Sequence, residues 1–379
     1  MKKKYKKKIL IVVDTLMTGG AARQISLLSK YIIKKDIRVH VFFYKHKSSE
    51  IFYKDLLIDK SIRIHCLSKP KVKEGFSVMV ILEILKIINK ESFDCLLSFQ
   101  LIPSQYLFLA SIFCSKKVKK IFSLRNSPYS NNNLDYIKII FLSFFFDNLI
   151  VNSFIFKDFL CRKYKFLKNH FSKKTKVILN GYETFIQYDP VKNTGIPKNF
   201  LVLSRIHPVK GGIKFAKAIK YFLERNDQEI KIKWAGNLEE NNICYEEYCA
   251  MNNIINSSEK LKKNWNWIEH SSDIETLYNW ADIVLIPSNS EGMSNVMCEA
   301  MCRSKFIISS KVGDFKFMLG NSKGIVSFDN SHESFCFAIE QCLSLTSEER
   351  KKICKNAYKF AKDKLIIKST VEAYLDLFI

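Results

Sequence analysis

Apolar positions along the chain follow two rhythms. Short runs rich in Val, Ile, Leu and Phe alternate with longer stretches in which apolar residues recur every three or four positions. That alternation predicts strands of a parallel sheet joined by amphipathic helices. In the first half, strands are expected over 9–13, 39–44, 63–66, 95–99, 120–124, 148–151 and 176–179, with helices such as 22–33 and 76–88 between them. Residues 180–199, NGYETFIQYDPVKNTGIPKN, break the rhythm with Asn-Gly, two prolines and a further glycine, the composition of a linker. The alternation then restarts, with strands over 200–205, 230–235, 283–287, 306–310 and 324–328. Helices are expected over 212–225, 273–280 and 294–302, followed by closing helices around 333–343 and 347–364. The expected fold class is α/β: two Rossmann-like, doubly wound domains, 1–185 and 186–360, with an interdomain cleft. A last helix over 361–379 is expected to return to the N-terminal domain.

Length agrees with two domains, since 379 residues exceed what a single core usually organises. A composition of 47% hydrophobic and 26% charged residues excludes a disordered chain. Charge changes the picture more. The net charge is +24, and residues 1–190 hold 35 Lys and Arg against 14 Asp and Glu, a surplus of 21. Such a half attracts polyanions, whether nucleic acid, an anionic membrane leaflet or phosphorylated substrates. A lysine-rich codon bias explains the same surplus, and the count does not separate the two. Eleven cysteines contain no C-x-x-C pair, and Cys298 and Cys302 merely share a helix face, so neither a disulfide framework nor a zinc site is expected. A reducing cytoplasm is the expected location. The start, MKKKYKKKILIVVDTL, offers only five apolar residues before Asp14, too few for a signal peptide, and reads as a basic arm feeding the first strand. The apolar stretch 139–146 is too short to span a bilayer.

Three strand-to-helix turns carry candidate chemistry, because backbone amides and the positive helix end gather anions there. Gly19 and Gly20 in MTGGAARQ follow the first strand and would let a ligand approach the backbone; a plain turn reads the same way. In LSRIHPVKGG, Arg205 lies just after a strand and Lys210 just before a helix, a spacing that lets both converge on one anion. In SNSEGMSNVMCEAM, Glu291 sits in a loop, Gly292 permits a tight turn and Ser294 is placed to cap the next helix. Asn295 and Glu299 share a face of that helix. The loop amides of Gly292, Met293, Ser294 and Asn295 are expected to act as donors, and the two carboxylates suit sugar hydroxyls and a ribose diol. As a bare pattern, two glutamates at this spacing are common and more often read as solvated helix charges.

Together these stretches resemble a family. PSNSEGMSNVMCEAM, preceded some eighty residues earlier by LSRIHPVKG, is similar to the E-x7-E and Arg…Lys-Gly hallmarks of GT-B glycosyltransferases of the family 4 type. TGGAARQISLL, DNLIVNS, NGYE, WADIVLIPS and KVGDFKFML extend the resemblance over nearly the whole chain, in the family's order. It implies a metal-independent, retaining transferase of a hexose-type sugar, with no cofactor and a nucleotide-sugar donor, a UDP-sugar first. The resemblance makes Arg205 and Lys210 the clamp on the donor diphosphate, Glu291 the contact to the transferred sugar and Glu299 the ribose ligand. Gly292 to Val296 would add backbone contacts, and Gly19 and Gly20 match the loop that faces the diphosphate. No D-x-D cluster, the metal-holding motif of the other main transferase fold, occurs in the sequence.

The chain departs from the family in places. Relatives place a histidine after an N-domain strand; here FSLRNSP puts Arg125 or Asn126 in that position, as acceptor-side candidates. The linker motif ends in Glu183 rather than Asp, and WIEHSSD stands where relatives show glycine before the helix at 273. The implied acceptor is a saccharide, lipid-linked, in surface polysaccharide assembly such as capsule, O-antigen or exopolysaccharide. The segment KDFLCRKYKFLKNHFSKK, 157–174, interleaves cations with aromatic and aliphatic residues, which suits peripheral contact with an anionic inner membrane face; a helix with its apolar side in the core fits as well. Competing readings are a GT-B sugar-nucleotide epimerase, an inactive donor-binding subunit and a basic nucleic-acid-binding protein. The last shows no recognition motif, so nucleic acid is not an expected partner.

Overall fold

The structure, a computed structural model, describes residues 7–17, 19–70, 75–113, 118–186, 196–239, 241–269 and 273–378. The basic arm before Lys7, the linker core 187–195 and residues 270–272 of the WIEHSSD stretch lie outside them. Two compact units result, Met1–Gly181 with Ile366–Ile379, and Tyr182–Leu365.

The first unit runs β1 (Lys7–Val12), α1 (Gly20–Ile32), β2 (Ile37–Phe43), β3 (Ile62–Cys66), α2 (Val78–Lys90), β4 (Cys95–Phe99) and α3 (Leu101–Ile112). It continues through β5 (Lys119–Leu124), α4 (Asn133–Phe145), β6 (Asn148–Val151), α5 (Phe154–Lys163), α6 (Lys168–Lys174) and β7 (Thr175–Val177). Its strands pair in the order β3-β2-β1-β4-β5-β6-β7, each pair parallel, with Ile9 of β1 opposite Val39 on one side and Cys95 on the other. Parallel sheets are covered on both faces, which is why the strands read as unbroken apolar runs. Ile9, Ile11 and Val39 point to the face covered by α1; Leu10, Val12 and Phe42 point to the face covered by α2 to α6.

The second unit runs β8 (Asn199–Leu203), α7 (Gly212–Arg225), β9 (Lys231–Ala235), α8 (Asn242–Asn256), α9 (Glu259–Asn264), β10 (Trp265–Ile268) and α10 (Ile274–Trp280). Then follow β11 (Ile283–Ile286), α11 (Asn295–Cys302), β12 (Phe306–Ser309), α12 (Phe315–Leu319), β13 (Ile325–Val326), α13 (His332–Ser344) and α14 (Ser347–Lys364). Its sheet is also parallel, in the order β10-β9-β8-β11-β12-β13. Phe215 of α7 packs among Trp234, Trp265 and Phe335 at the centre of its core. The sequence pattern does not announce α8, α9 and β10. The last is a four-residue edge strand carrying two tryptophans and an exposed asparagine, too short to show a period.

The chain finally re-enters the first unit as α15 (Ile367–Phe378). Ile367, Val371, Tyr374 and Phe378 recur at helical spacing and are buried beside Ile9, Val39 and Phe99. Among the described residues no helix is long and apolar enough to cross a membrane.

Candidate active site

In a doubly wound sheet, ligands sit beyond the carboxyl ends of the strands where the strand order reverses. In the second unit that point lies between β8 and β11, which pair through Phe200 and Ile283. The segments leaving these two strands carry the sequence candidates. After β8, Pro208–Lys210 form one tight turn and Gly211 takes φ 69°, a left-handed conformation, before α7 begins. A Cβ at Gly211 would lie 2.1 Å from the Pro287 carbonyl oxygen, so glycine lets the two loops touch. Backbone bonds fasten them: Asn289 N donates to Val209 O at 2.7 Å, and its side-chain amide donates to Pro208 O at 2.8 Å.

The stitching brings Lys210 and Glu291 together. Lys210 Nζ donates to Glu291 Oε1 at 2.6 Å, and Ser288 Oγ donates to the same oxygen at 2.7 Å. Both charged side chains are mostly shielded, at 22% and 15% exposure, which strengthens a charge-assisted bond relative to a solvated surface pair. Gly292 to Val296 follow directly; Gly292 O accepts from Asp314 N at 3.3 Å, and Ser294 Oγ caps α11 by accepting from Met297 N. Met293 and Ser294 are buried, while Asn295 and Val296 are half-buried. Asn295 Oδ1 accepts from the Tyr182 hydroxyl at 2.7 Å.

Glu299, one helical turn beyond Asn295, is buried, and its Oε2 accepts from the Tyr278 hydroxyl at 3.1 Å. Arg303 lies over the Tyr278 ring at 4.5 Å, pairs with Glu275 and donates to the Glu299 carbonyl oxygen at 3.1 Å. Arg205, by contrast, is exposed and ion-pairs with Glu239, so each of the two predicted cations faces its own carboxylate in this structure.

The first unit repeats the arrangement, with its order reversal between β1 and β4. Gly19 precedes α1 with φ 130°, and Gly20 is the first residue of that helix. Arg125, after β5, is a brace: it donates through Nε to Ser123 Oγ at 3.0 Å, through Nη1 to Asn180 Oδ1 at 2.7 Å and through Nη2 to the Tyr374 hydroxyl. Asn126 Nδ2 donates to Asn131 Oδ1 at 2.7 Å.

Several residues of these sites were not singled out in the sequence. Ser288 stands in the quoted motif, where a hydroxyl three residues ahead of a carboxylate in a loop was the available signal. Tyr278 had none, because its bond to Glu299 joins different helices. Gln100 is exposed at the end of β4 with φ 73° and ψ 167°, a region essentially reserved for glycine, and nothing in its identity announces that. Lys214 of α7 donates to Ser310 Oγ at 2.8 Å and Asn330 Oδ1 at 2.5 Å, and burial lowers its pKa to about 8.

Solved structures share this architecture along the whole chain. They include a glycosyltransferase from Rickettsia africae, with 20% identity over 99% of this chain and 98% of that one and a TM-score of 0.75. HepE of Anabaena, in complex with UDP and glucose, matches at 16% identity over 98% of both chains with a TM-score of 0.77. Sucrose-phosphate synthase of Thermosynechococcus elongatus matches at 12% identity over 98% of both chains with a TM-score of 0.79. The fold they share with this chain is GT-B, two parallel-sheet units of the kind described above. Residues 189–360 match the family model of glycosyl transferases group 1, and the protein is a glycosyltransferase. No curated protein matches the chain in sequence.

Proposed function

We propose that the protein transfers a hexose-type sugar from a UDP-sugar to a saccharide acceptor, with retention of anomeric configuration and without a metal ion. The contact between Lys210 and Glu291, held by Ser288 at the order reversal of the second sheet, carries the reading. Breaking the anomeric bond of a nucleotide-diphosphate sugar develops negative charge on the leaving phosphate. A fixed ammonium and helix amides stabilise that charge more than the ground state, which is what lowers a barrier. Lys210 fills this role, aided by the amides of Gly292 to Val296 and by Arg205 once it exchanges Glu239 for phosphate. Glu291 takes the sugar hydroxyls, and Glu299, oriented by Tyr278, takes the ribose diol. HepE, whose complex contains UDP and glucose, supports UDP as the first donor to test.

The acceptor proposed is lipid-linked, in surface polysaccharide assembly, with the cationic first unit resting on an anionic membrane face at the inner side of the plasma membrane. The decisive experiment is nucleotide release across UDP-, GDP- and ADP-sugars, with and without saccharide acceptors. Acceptor-dependent UDP release is expected. Conversion of donor alone without release points to an epimerase instead, and silence toward every donor discards the reading.

A further inference from the structure

An amphipathic surface helix shows solvent one polar face, but α4 exposes large apolar side chains on its outer side as well. Tyr136, Ile139 and Leu142 fill the core of the first unit, as periodicity demands. On the opposite side Leu134, Ile137, Phe141, Phe144 and Phe145 stand at the same helical spacing, between 48% and 66% exposed. A second apolar stripe at that spacing serves no fold, and exposed patches of this kind mark an interaction surface. Phe108 of the neighbouring α3 packs on Phe141 and Phe145, and that helix ends in exposed Ile112 and Phe113, so the stripe continues sideways.

Cations flank α4. Lys163 of α5 lies 4.4 Å from the Tyr136 ring centroid, and Lys138 on α4 itself is half exposed. Phe144 stacks on His170 of α6 at 4.2 Å, within a helix that also holds Lys168, Lys173 and Lys174. Lys174 Nζ donates to the Phe146 carbonyl oxygen at 2.7 Å, fastening α6 to the end of α4. The one acid of α4, Asp135, belongs to its capping box and pairs with Lys138.

We infer that the outer face of α4, with the end of α3, inserts into the headgroup and acyl boundary of an anionic lipid bilayer while the lysines of α5 and α6 meet the lipid phosphates. Apolar face and cationic rim are the two terms of interfacial binding, and neither suffices alone. Charge complementarity selects this occupant over a second copy of the chain: a two-fold interface would bring two such lysine rims together, each in a half of the sequence with a surplus of 21 positive charges. The inference rests on the proposed function only for the membrane's relevance to the acceptor. It places the apolar part of the contact on α4 rather than on the 157–174 segment, whose Leu160 and Phe171 are fully buried and whose lysines supply only the charge.

The test is flotation of the full chain with vesicles of phosphatidylglycerol and phosphatidylcholine, compared with phosphatidylcholine alone. The unaltered protein is expected to float with the anionic vesicles at low salt. The double variant Phe141→Ser/Phe144→Ser is expected to partition about tenfold less or weaker still, since each ring gives up most of its transfer free energy, with thermal midpoint and nucleotide release unchanged. The indole introduced by Phe141→Trp should be quenched by brominated lipid. The inference fails if the unaltered chain stays with the bottom fraction, if the double variant floats like it, or if brominated lipid leaves the fluorescence of the Phe141→Trp variant no more quenched than that of the unaltered chain. It fails as well if the same two serines dissolve a dimer in sedimentation. Nucleotide release is scored separately, so an inactive chain that floats overturns the proposed function and leaves the surface standing.

Discussion

Glu291 Oε1 accepts from Lys210 and from Ser288, so the two donors hold one oxygen for different ends. In the proposed function Lys210 supplies charge and Ser288 supplies orientation. Lys210→Ala is expected to reduce turnover by about 10²-fold, the usual effect of removing one preorganised charge donor, whereas Ser288→Ala should cost closer to tenfold. Steady-state kinetics on the best donor of the panel checks the ranking, and equal losses would mean that Lys210 acts only as a structural partner of Glu291. Gln100 offers the opposite trade. Its glycine-only backbone conformation costs about 1–3 kcal/mol, so Gln100→Gly should raise the thermal midpoint while lowering acceptor-dependent transfer. A midpoint that stays or falls denies the strain.

At the level of elements, periodicity made most of the sheets legible. α7 and α14 have the expected bounds, and β4 and β6 match to the residue, because strands buried on both faces are written as plain apolar runs. Partner choice was not legible. Arg125 contacts Asn180, 55 positions away, and Tyr374, 249 positions away, and no local pattern encodes either distance. The same holds for Arg205, whose strand-end position was visible but whose partner Glu239 was not. The pairing of β2 with β3 contains another such association. His40, buried against Phe93, has its Nδ1 3.0 Å from His65 Nε2, with the Glu91 carboxylate 3.5 Å from its Nε2. Burial outweighs the pull of Glu91 and lowers the His40 pKa from 6.5 to about 4. The imidazole is thus neutral in the fold, while the unfolded chain takes up a proton below pH 6.5. Stability should therefore fall as pH drops from about 6.5 to about 4, and the fall from this group should level off below that. Thermal midpoints across the range check it, with His40→Gln expected to flatten the slope; a slope unchanged in that variant assigns the acid sensitivity elsewhere.

For the molecule as a whole, α15 matters out of proportion to its length. Tyr374 is 1% exposed, lies beside Phe99 and receives the Arg125 bond, so Tyr374→Ala leaves both a cavity and an unmatched guanidinium donor. A loss of about 3 kcal/mol or more is expected, seen in denaturant unfolding of the first unit. Tyr374→Phe should recover the packing share of that loss, and an equal loss in both variants would show that the hydroxyl alone matters.

Because residues 182–365 are threaded between two stretches of the first unit, the order of synthesis and the order of completion differ. A ribosome makes the seven-stranded sheet early, and α1 covers part of the face lined by Ile9 and Val39 at once, yet the rest of that cover arrives only with α15, after the inserted unit has had time to fold. During that interval the nascent chain carries a half-clothed apolar sheet. Chaperone dependence and sensitivity to premature stop codons should accordingly concentrate on the oldest part of the polypeptide.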